Sequence, residues 1–335
     1  MSIKISVIGA GSWGTTLANV LAENGHDTLL YVYEKDQYQL MLKERRNEKY
    51  LPGVPLAESL KLTDELEEAF RFAPFLVMAV PSHVMRSVLQ QGSTELFREK
   101  YFINVAKGIE NDTLLRMSQV IQQVTGVPEE QIATLSGPSH AEEVSRHIAT
   151  AVVAASSSLE TARQVRDLFR APYFRVYSST DIIGVELGGS LKNVIAIAAG
   201  IADGAGFGDN TKAALMTRAL VEMTRLGVAM GAQLHTFSGL SGMGDLIVTC
   251  MSRHSRNRYV GEQIGQGKTL QEVLSGMVMV AEGVKTTRSV HQLLQKYPVE
   301  MPISQQVYQV LFHQKNPHDA VRDLMQRDPK EETPI

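Results

Sequence analysis

The sequence predicts a doubly wound, mostly parallel α/β domain followed by an all-helical C-terminal domain. Through the first half of the chain, short runs rich in β-branched residues alternate with amphipathic stretches, which is typical of a parallel sheet. After about Tyr177 strand-like runs nearly vanish, and small residues and helix formers take over. At 335 residues the chain is also too long for one compact core. We therefore expect an N-terminal domain over residues 1–180 and a C-terminal domain over residues 181–335.

The elements of the first domain alternate in a regular order. The first helix is expected to end at Gly25, because glycine commonly follows the last turn of a helix. Pro52, Gly53 and Pro55 favour a loop. The predicted strands are Ile3–Ile8, Thr28–Tyr33, Phe75–Val80, Tyr101–Val105, Ile132–Leu135 and Ala151–Ala155. The predicted helices between them include Gly14–Asn24, Gln37–Lys43, Thr113–Val124 and Leu159–Phe169.

The second domain is predicted to be helical because apolar residues recur there at helical spacing. A buried helix rich in small residues is expected around Lys192. Further predicted helices are Asn210–Met230, Glu282–Tyr297, Ile303–Phe312 and Ala320–Gln326.

Composition indicates a soluble, cytoplasmic protein. The hydrophobic fraction of 44% and the charged fraction of 21% are those of an ordinary globular chain, and a net charge of −3 gives no field to attract nucleic acid or an anionic membrane. The single cysteine, Cys250, excludes an intramolecular disulfide and fits a reducing cytoplasm. The longest small and apolar run, Val194–Ala202, is too short to span a membrane, and the N-terminus leaves no room for a signal peptide. No zinc-binding pattern occurs, so we expect no metal.

The segment from Gly9 to Gly14 has the spacing G-x-G-x-x-G. It follows a predicted strand and begins a predicted helix, which is the context that a dinucleotide site requires. Gly9 permits the tight turn, Gly11 lets a pyrophosphate approach the backbone, and Gly14 lets helix and strand pack closely. A glycine-rich turn without a ligand is the less favoured interpretation. The pattern predicts a site for NAD or NADP.

The choice between NAD and NADP stays open at the end of the second strand. Glu34 lies 20 residues after Gly14, where an acidic residue usually holds the ribose hydroxyls of NAD. Lys35 follows it directly, and Tyr33 precedes it. A basic residue from the second domain would instead favour the 2′-phosphate of NADP. Trp13 either covers the cofactor or packs beside the turn, and the sequence does not favour one of these over the other.

Polar residues follow the predicted strands, where ligands bind in doubly wound folds. Lys107 comes after an apolar strand and can reach a substrate oxygen, although a lysine at a sheet rim often only extends its ammonium group to water. The segment Ser136–Ser139 can present backbone N–H groups and hydroxyls to a ligand, and Ser139 can also cap the next helix.

Lys192 is the strongest catalytic candidate. Small residues surround it, so a ligand or another backbone can approach closely, and burial together with a carboxylate can tune a lysine to donate a proton to an alkoxide. Asp245 is the predicted carboxylate partner. A structural ion pair is the alternative.

The segment Ser252–Arg258 contains three arginines, two serines and an asparagine. Arginine grips phosphate in a bidentate manner, and hydroxyl and amide groups add hydrogen bonds. A solvated loop or a nucleic-acid contact are alternatives, but the net acidity counts against the second. The pattern favours binding of a small phosphate ester.

With these motifs, the chain resembles the bacterial-type NAD(P)-dependent glycerol-3-phosphate dehydrogenases along nearly its whole length. The later blocks in this order are specific to that family. The blocks are VIGAGSWGTTLA at 7–18, YLPGV at 50–54, VPSH at 80–83, AKGIE at 106–110, SGPSHAEE at 136–143, LGGSLKNVIAIAAGIADG at 187–204, GDNTKAAL at 208–215, GLSGMGDLIVTC at 239–250 and SRNR at 255–258.

The resemblance implies a Rossmann domain, a helical domain, a homodimer, and interconversion of dihydroxyacetone phosphate and glycerol 3-phosphate for phospholipid synthesis. It implies that Lys192 donates and accepts the proton. The implied substrate contacts are Lys107, Gly137, Ser139, Lys192, Asp245, Ser255, Arg256 and Asn257. The implied cofactor contacts are Ser12, Trp13, Tyr33, Lys107, Ala141, Arg256, Val280 and Glu282. The sequence departs from the family pattern at His140, where phenylalanine is usual, and at Tyr33, where polar or basic residues are common.

Two other functions fit parts of the sequence. A β-hydroxyacid or 6-phosphogluconate type dehydrogenase also has a lysine four residues after a glycine, as in Gly188 and Lys192. The arginine cluster argues against it, since a carboxylate substrate needs no such phosphate site. The other alternative is a sensor that binds NAD(P) without turnover. It would not explain why Lys107, Lys192 and Asp245 occur together.

Overall fold

The computed structural model describes residues 2–277, 280–329 and 331–332. The chain folds into two compact units. The first unit comprises Met1–Lys107 and Arg116–Ile182, and the second comprises Gly108–Leu115 and Ile183–Ile335. The second unit therefore includes a short segment that the sequence analysis assigned to the first domain.

The first unit is built on an eight-stranded sheet. In chain order its strands are β1 (Lys4–Ile8), β2 (Asp27–Tyr31), β3 (Lys61–Thr63), β4 (Phe75–Met78), β5 (Tyr101–Asn104), β6 (Ile132–Ser136), β7 (Thr150–Ala155) and β8 (Phe174–Ser179). They lie side by side in the order β3-β2-β1-β4-β5-β6-β7-β8. Every neighbouring pair is parallel except β6 and β7. The reversal of strand order at β1 makes the sheet doubly wound, so the predicted fold class is confirmed.

Helices connect the strands of the first unit. They are α1 (Ser12–Glu23), α2 (Lys35–Glu44), α3 (Leu66–Phe72), α4 (Met85–Leu89), α5 (Thr94–Phe97), α6 (Met117–Thr125), α7 (Ala141–Val144) and α8 (Leu159–Phe169). Short 3-10 turns span Ser82–Val84 and Glu129–Gln131. Apolar residues of β1, such as Ile5 and Val7, and of α1, such as Leu17 and Leu21, are fully buried in one core cluster. The position of α1 directly after β1 is thus fixed by the packing of its apolar side chains.

Three details of the first unit differ from the prediction. The short strand β3 and the edge strand β8 were not predicted. The helix predicted over Thr113–Val124 begins four residues later, as α6. Asp112 and Leu114 have φ values of 68° and 60°, and a right-handed helix does not accommodate such left-handed conformations.

The second unit is helical. Its described residues form no β-strand, as predicted. The helices are α9 (Ile182–Gly204), α10 (Asp209–Ala229), α11 (Asp245–Met251), α12 (Arg256–Gly265), α13 (Leu270–Ser275), α14 (Glu282–Lys296), α15 (Pro302–His313) and α16 (Pro317–Met325). A 3-10 segment spans Leu234–Ser238, and a π-helical turn spans Leu240–Gly244. The four helices for which the sequence predicted both ends correspond to α10, α14, α15 and α16.

Helix α9 is longer and more apolar than the sequence analysis expected. It has 23 residues, and an 18-residue window within it has a mean hydropathy of 1.5, so by length and composition the helix could cross a membrane. However, 94% of its apolar window is buried inside the protein. The core helix of a globular protein has the same properties, and its apolar residues lie in the core cluster of the second unit.

Helices α9 and α12 cross at a very short distance because each helix places a glycine against the backbone of the other. A Cβ atom on Gly200 would lie 1.9 Å from the carbonyl oxygen of Arg258, and one on Gly261 would lie 2.0 Å from the carbonyl oxygen of Ile197. Only glycine fits at such a contact. The crossing places the first residues of α12 beside the middle of α9, where Lys192 lies.

The segment 108–115 packs into the second unit through its own side chains and backbone. Ile109 is 2% exposed and belongs to the core cluster of that unit. The hydroxyl of Ser190 donates to the carbonyl oxygen of Gly108 (3.2 Å), and the hydroxyl of Ser289 donates to that of Ile109 (3.3 Å). Sequence periodicity does not reveal such a contact, because the segment lies far from its partners along the chain.

Candidate active site

The glycine turn between β1 and α1 has the geometry of a phosphate-binding turn. Gly9 has φ +114°, and a Cβ there would lie 2.7 Å from the carbonyl oxygen of Ala79. A Cβ on Gly14 would lie 1.9 Å from the carbonyl oxygen of Gly9. A Cβ on Gly11 would meet nothing within 4 Å. Gly9 and Gly14 are thus required for packing, while Gly11 faces open space beside the N-terminus of α1, where an anion is favourable.

Trp13 lies in the first turn of α1 and packs against the protein. Its ring contacts the cluster formed by Leu51, Val54 and Ala141, and lies 6.3 Å from the ring of Phe174. Its Nε1 atom is buried and has no hydrogen-bond partner among the described residues. The packing interpretation is therefore supported, and the indole N–H remains as a donor suited to a ligand. Ser12, the first residue of α1, is buried beside it.

The end of β2 carries an ion pair next to an exposed aromatic ring. Tyr33 is 80% exposed. The Nζ of Lys49 donates to both carboxylate oxygens of Glu34, at 2.9 and 2.7 Å, and the hydroxyl of Tyr50 donates to one of them at 3.0 Å. The hydrogen bond from Lys49 lowers the pKa of Glu34, so this carboxylate is ionised at neutral pH. Glu34 was predicted at this position from the sequence, whereas its contacts with Lys49 and Tyr50 were not.

Lys107 is hydrogen-bonded to the two other predicted substrate-binding residues of the first unit, Gly137 and Ser139. Its Nζ donates to the carbonyl oxygen of Gly137 (2.9 Å) and to the hydroxyl of Ser139 (3.4 Å). Gly137 has φ +138°, a conformation that favours glycine. Ala141 is the first residue of α7, and its carbonyl oxygen accepts from the hydroxyl of Thr16 on α1. These residues therefore lie together after the carboxyl ends of β5 and β6.

Lys192 and Asp245 form a buried ion pair in the second unit. The Nζ of Lys192 lies 3.0 Å from Oδ1 of Asp245, and their side chains are only 8% and 2% exposed. The same Nζ donates to the hydroxyl of Thr249 at 2.6 Å. Thr249 lies four residues after Asp245 on α11, and its hydroxyl donates to the carbonyl oxygen of Asp245 at 2.6 Å. The predicted pairing is observed, and the spacing of four on a helix is the signal that would have found Thr249.

The start of α12 is hydrogen-bonded to both α9 and α14. Nδ2 of Asn257 donates to Oδ1 of Asn193 on α9 (2.9 Å), and Oδ1 of Asn257 accepts from the backbone N–H of Gly283 (2.9 Å). The hydroxyl of Ser255 caps the helix by accepting from the N–H of Arg258 (3.2 Å). Ser255 and Asn257 thus hold the local backbone in place, and each keeps further hydrogen-bonding capacity.

Two of the three arginines of the predicted phosphate-binding segment, Arg256 and Arg258, have different surroundings. The guanidinium of Arg256 donates to the carbonyl oxygen of Val280 at 3.1 Å, just before Glu282 begins α14. Arg258 is instead paired with Asp203 at 2.8 Å and with Glu262 at 3.2 Å, and its side chain is 16% exposed. Arg258 is thus neutralised by acidic side chains, whereas Arg256, the arginine predicted to contact the substrate, bonds a backbone carbonyl.

The predicted site residues form two groups, one in each unit. The first contains the glycine turn, Tyr33 and the group around Lys107. The second contains Lys192, Asp245, Ser255, Arg256, Asn257, Val280 and Glu282. Among the described residues, no group of His, Cys, Asp and Glu side chains is arranged to hold a metal ion.

Comparison with known proteins identifies the family. The model of the NAD-dependent glycerol-3-phosphate dehydrogenase N-terminus matches residues 4–162, and that of the C-terminus matches residues 181–322. The chain belongs to this family. The predicted resemblance is thus confirmed, and membership makes the chain an NAD(P)-dependent oxidoreductase, which decides against the hydroxyacid-type and sensor alternatives.

Similar proteins cover the chain almost completely. It is 53% identical over 335 residues to a protein of Citrifermentans bemidjiense named a glycerol-3-phosphate dehydrogenase of the NAD(P)+ type, with 99% of each chain covered. It is 52% identical to the protein of that name from Syntrophotalea carbinolica, with 98% and 99% covered. The crystal structure of glycerol-3-phosphate dehydrogenase from Coxiella burnetii superposes with a TM-score of 0.92 at 38% identity, covering 97% of this chain and 99% of that one.

Proposed function

We propose that this protein is an sn-glycerol-3-phosphate dehydrogenase that transfers hydride reversibly between NADH or NADPH and dihydroxyacetone phosphate. It would supply glycerol 3-phosphate for glycerophospholipid synthesis. The observation that carries the proposal is the buried pair of Lys192 and Asp245 in a chain whose two halves both match this family. A lysine held this way on a helix of small residues is suited to exchanging a proton with a substrate oxygen.

The proposed chemistry needs one hydride and one proton. A nicotinamide dinucleotide held at the glycine turn would supply the hydride, and the substrate's carbonyl π electrons would move to oxygen as the new C–H bond forms. The ammonium of Lys192 then gives its proton to that oxygen, and the reverse reaction returns it. The Nζ of Lys192 lies 3.0 Å from Oδ1 of Asp245 and 2.6 Å from the hydroxyl oxygen of Thr249. These two contacts orient the N–H groups of the ammonium. Lys107 is proposed to position and polarise the carbonyl.

The proposed cofactor contacts begin at the glycine turn. Its positive φ at Gly9, the open face at Gly11 and the buried N–H of Trp13 fit a pyrophosphate and its sugar. The full proposed set is Gly9, Gly11, Ser12, Trp13, Gly14, Tyr33, Lys107, Ala141, Arg256, Val280 and Glu282.

The proposed substrate contacts combine charge with hydrogen-bond donors. Arg256 and Asn257 would anchor the phosphate group, since a guanidinium and an amide supply directed N–H donors. The full proposed set is Lys107, Gly137, Ser139, Lys192, Asp245, Ser255, Arg256 and Asn257. We assign cofactor binding mainly to residues 1–180 and the proton chemistry to residues 181–335.

We further propose a cytoplasmic homodimer that binds neither membrane nor nucleic acid. The burial of α9 argues against membrane insertion and the net charge of −3 against nucleic-acid binding, while the homodimer is what the family resemblance implies. Sedimentation equilibrium of the full chain tests the oligomeric state, and a mass equal to one chain would contradict the dimer.

The activity is tested by the loss of NADH and NADPH absorbance, in parallel, with dihydroxyacetone phosphate as substrate and dihydroxyacetone as control. Loss only with the phosphorylated ketone is expected. Lys192→Met should lower kcat at least about a hundredfold, because general acid catalysis typically contributes that much, while Lys268→Met, an exposed lysine of the same unit, should leave it unchanged. Equal activity of Lys192→Met and the wild type would contradict the assignment.

A further inference from the structure

The end of β2 carries a cluster that the proposed reaction does not use. We name Glu34, Lys49 and Tyr50 the Glu34 clamp. Lys49 bonds both oxygens of the carboxylate, Tyr50 bonds one of them, and the ammonium of Lys49 lies 5.0 Å from the centre of the Tyr50 ring. The side chains of Lys49 and Glu34 are 40% and 39% exposed, so both charges remain accessible from solvent.

The Glu34 clamp is built into the dinucleotide turn. The residue that anchors its loop is Asn47, which is completely buried. Nδ2 of Asn47 donates to the carbonyl oxygen of Ala10 and to the hydroxyl of Thr15, each at 2.8 Å, and its Oδ1 accepts from Gln37 at 2.8 Å. Ala10 lies inside the glycine turn and Gln37 lies on α2. Lys49, two residues after Asn47, is therefore held at a fixed place relative to the turn, unlike a lysine on a mobile surface loop.

The two charges of the Glu34 clamp have opposite preferences for the adenosine ribose. A carboxylate at the end of the second strand accepts hydrogen bonds from the ribose hydroxyls of NAD, and it repels the 2′-phosphate of NADP. An ammonium group beside it attracts that phosphate. Each charge thus favours a different cofactor, and the two side chains are in direct contact.

We propose that Lys49 is the specificity-determining residue that admits the 2′-phosphate of NADP, so that Glu34 and Lys49 together let one site accept both cofactors. With NAD, Glu34 accepts from the ribose hydroxyls while Lys49 stays on the carboxylate. With NADP, Lys49 turns to the phosphate, and Tyr50 continues to donate to Glu34. This proposal rests on the dinucleotide site of the proposed function.

Lys35 is the competing candidate for this role. It directly follows Glu34 and is exposed at the first turn of α2. Lys35→Ala therefore belongs in the test beside Lys49→Ala. A matched control for the loss of a surface ion pair is Lys61→Ala, because Lys61 pairs with Asp27 at the other end of β2 at 2.7 Å.

The test is the calorimetric dissociation constant of two fragments, adenosine 2′,5′-bisphosphate and adenosine 5′-monophosphate, for the full chain. These probes report binding of the adenosine half without turnover. Lys49→Ala should weaken the bisphosphate about tenfold, the effect of one charge-assisted hydrogen bond, and leave the monophosphate within about twofold. Glu34→Gln should weaken the monophosphate and strengthen the bisphosphate. Lys61→Ala should change neither.

Each outcome has one meaning. An unchanged dissociation constant of the bisphosphate in Lys49→Ala contradicts the role of Lys49, and a loss in Lys35→Ala alone transfers the role to Lys35. Equal weakening of both fragments by Lys49→Ala shows a purely structural lysine and also contradicts the proposal. A wild-type chain that binds neither fragment contradicts the dinucleotide site itself, and with it the proposed function.

Discussion

The ammonium group of Lys192 lies among side chains that leave it almost no contact with water. Its partner carboxylate, that of Asp245, is 2% exposed, and the hydroxyl of Thr249 accepts a further hydrogen bond from the ammonium group at 2.6 Å. Taking two charges out of water costs several kcal/mol per ion, and their attraction often does not recover that cost. A buried pair of this kind is therefore weak evidence for stability. Its placement is better explained by chemistry at the Nζ of Lys192.

Substitutions of Lys192 and Asp245 should therefore affect the stability and the activity of the protein separately. Asp245→Leu alone should lower the free energy of unfolding by about 3 kcal/mol, because it leaves the charge of Lys192 buried without its carboxylate. The double variant Lys192→Met with Asp245→Leu should recover most of that loss and still lack turnover. Urea unfolding and the absorbance assay measure the two properties. Asp319→Asn, which removes an exposed ion pair with Arg322, is the control. A double variant as unstable as the single one would show that the pair is structural.

Among individual residues, the sequence predicted those whose type and neighbours along the chain are enough to indicate a catalytic or binding role. Lys192 was predicted because glycine, alanine and serine surround it, and Asp245 because it follows a glycine-rich segment. Lys49 was not predicted, because a lysine on a loop is common on any surface. Thr249 was not predicted either, because its spacing of four from Asp245 becomes a signal only once that segment is known to be a buried helix. Only the fold distinguishes Arg258 from its neighbour Arg256, because the pairing of Arg258 with Asp203 and Glu262 does not follow from the sequence.

At the scale of elements, the N-terminus of α15 depends on a buried carboxylate of α10. Glu222 is 2% exposed, and it accepts from the backbone N–H of Ile303 (2.6 Å) and of Ser304 (3.1 Å) and from the hydroxyl of Ser304 (3.0 Å). These donors favour the ionised form. Burial opposes them and dominates, and it raises the pKa of Glu222 from 4.5 to about 7. The attachment of α15 to α10 is thus sensitive to pH.

The pH dependence has a definite sign. Because the folded protein holds the proton of Glu222 more tightly than the unfolded chain, stability from this group is complete below about pH 4.5 and is lost as pH rises to about 7. The loss is up to about 1.4 kcal/mol per pH unit within that window. Glu222→Gln, which resembles the protonated form, should lose less Tm between about pH 5 and about pH 8 than the wild type.

Calorimetric unfolding at a series of pH values measures this difference. Glu67→Gln, at an exposed carboxylate that pairs with Arg71, is the control and should follow the wild type. Parallel pH profiles of Glu222→Gln and the wild type would contradict a protonation of Glu222 in the folded state.

The elements themselves were largely predictable, because periodicity reports burial. Helix α8 was predicted with its observed bounds, and the long helices of the second unit were found to within a few residues. Strand β3 was missed because three residues give too short a pattern. Strand β8 was missed although its exposed Arg175 and Tyr177 alternate with buried Phe174 and Val176, which is the pattern of a strand with one buried face. Local pattern therefore fails for an element as short as β3, whereas β8 carried a usable signal.

At the scale of the whole molecule, the chain does not divide at a single point. The boundary predicted at residue 180 separates the chain into two fragments, yet the second unit also needs residues 108–115. Ile109 is part of the second unit's core, and Ser190 and Ser289 bond to the backbone of Gly108 and Ile109. A fragment cut at the predicted boundary therefore lacks one buried side chain and exposes the cavity that it filled.

We expect the fragment 181–335 to gain stability when residues 108–115 are joined to it through a flexible linker. Burying Ile109 contributes about 2 kcal/mol, and its hydrogen bonds add to this, so the fused fragment should unfold several degrees higher in thermal circular dichroism. The matched control is the same fusion carrying Ile109→Asp, which keeps the linker and the length but cannot fill the apolar position. If the fusion, its Ile109→Asp form and the plain fragment all unfold at one temperature, residues 108–115 contribute nothing to the second unit and the division at residue 180 is sufficient. If only the intact fusion is stabilised, the second unit is assembled from two separated parts of the chain.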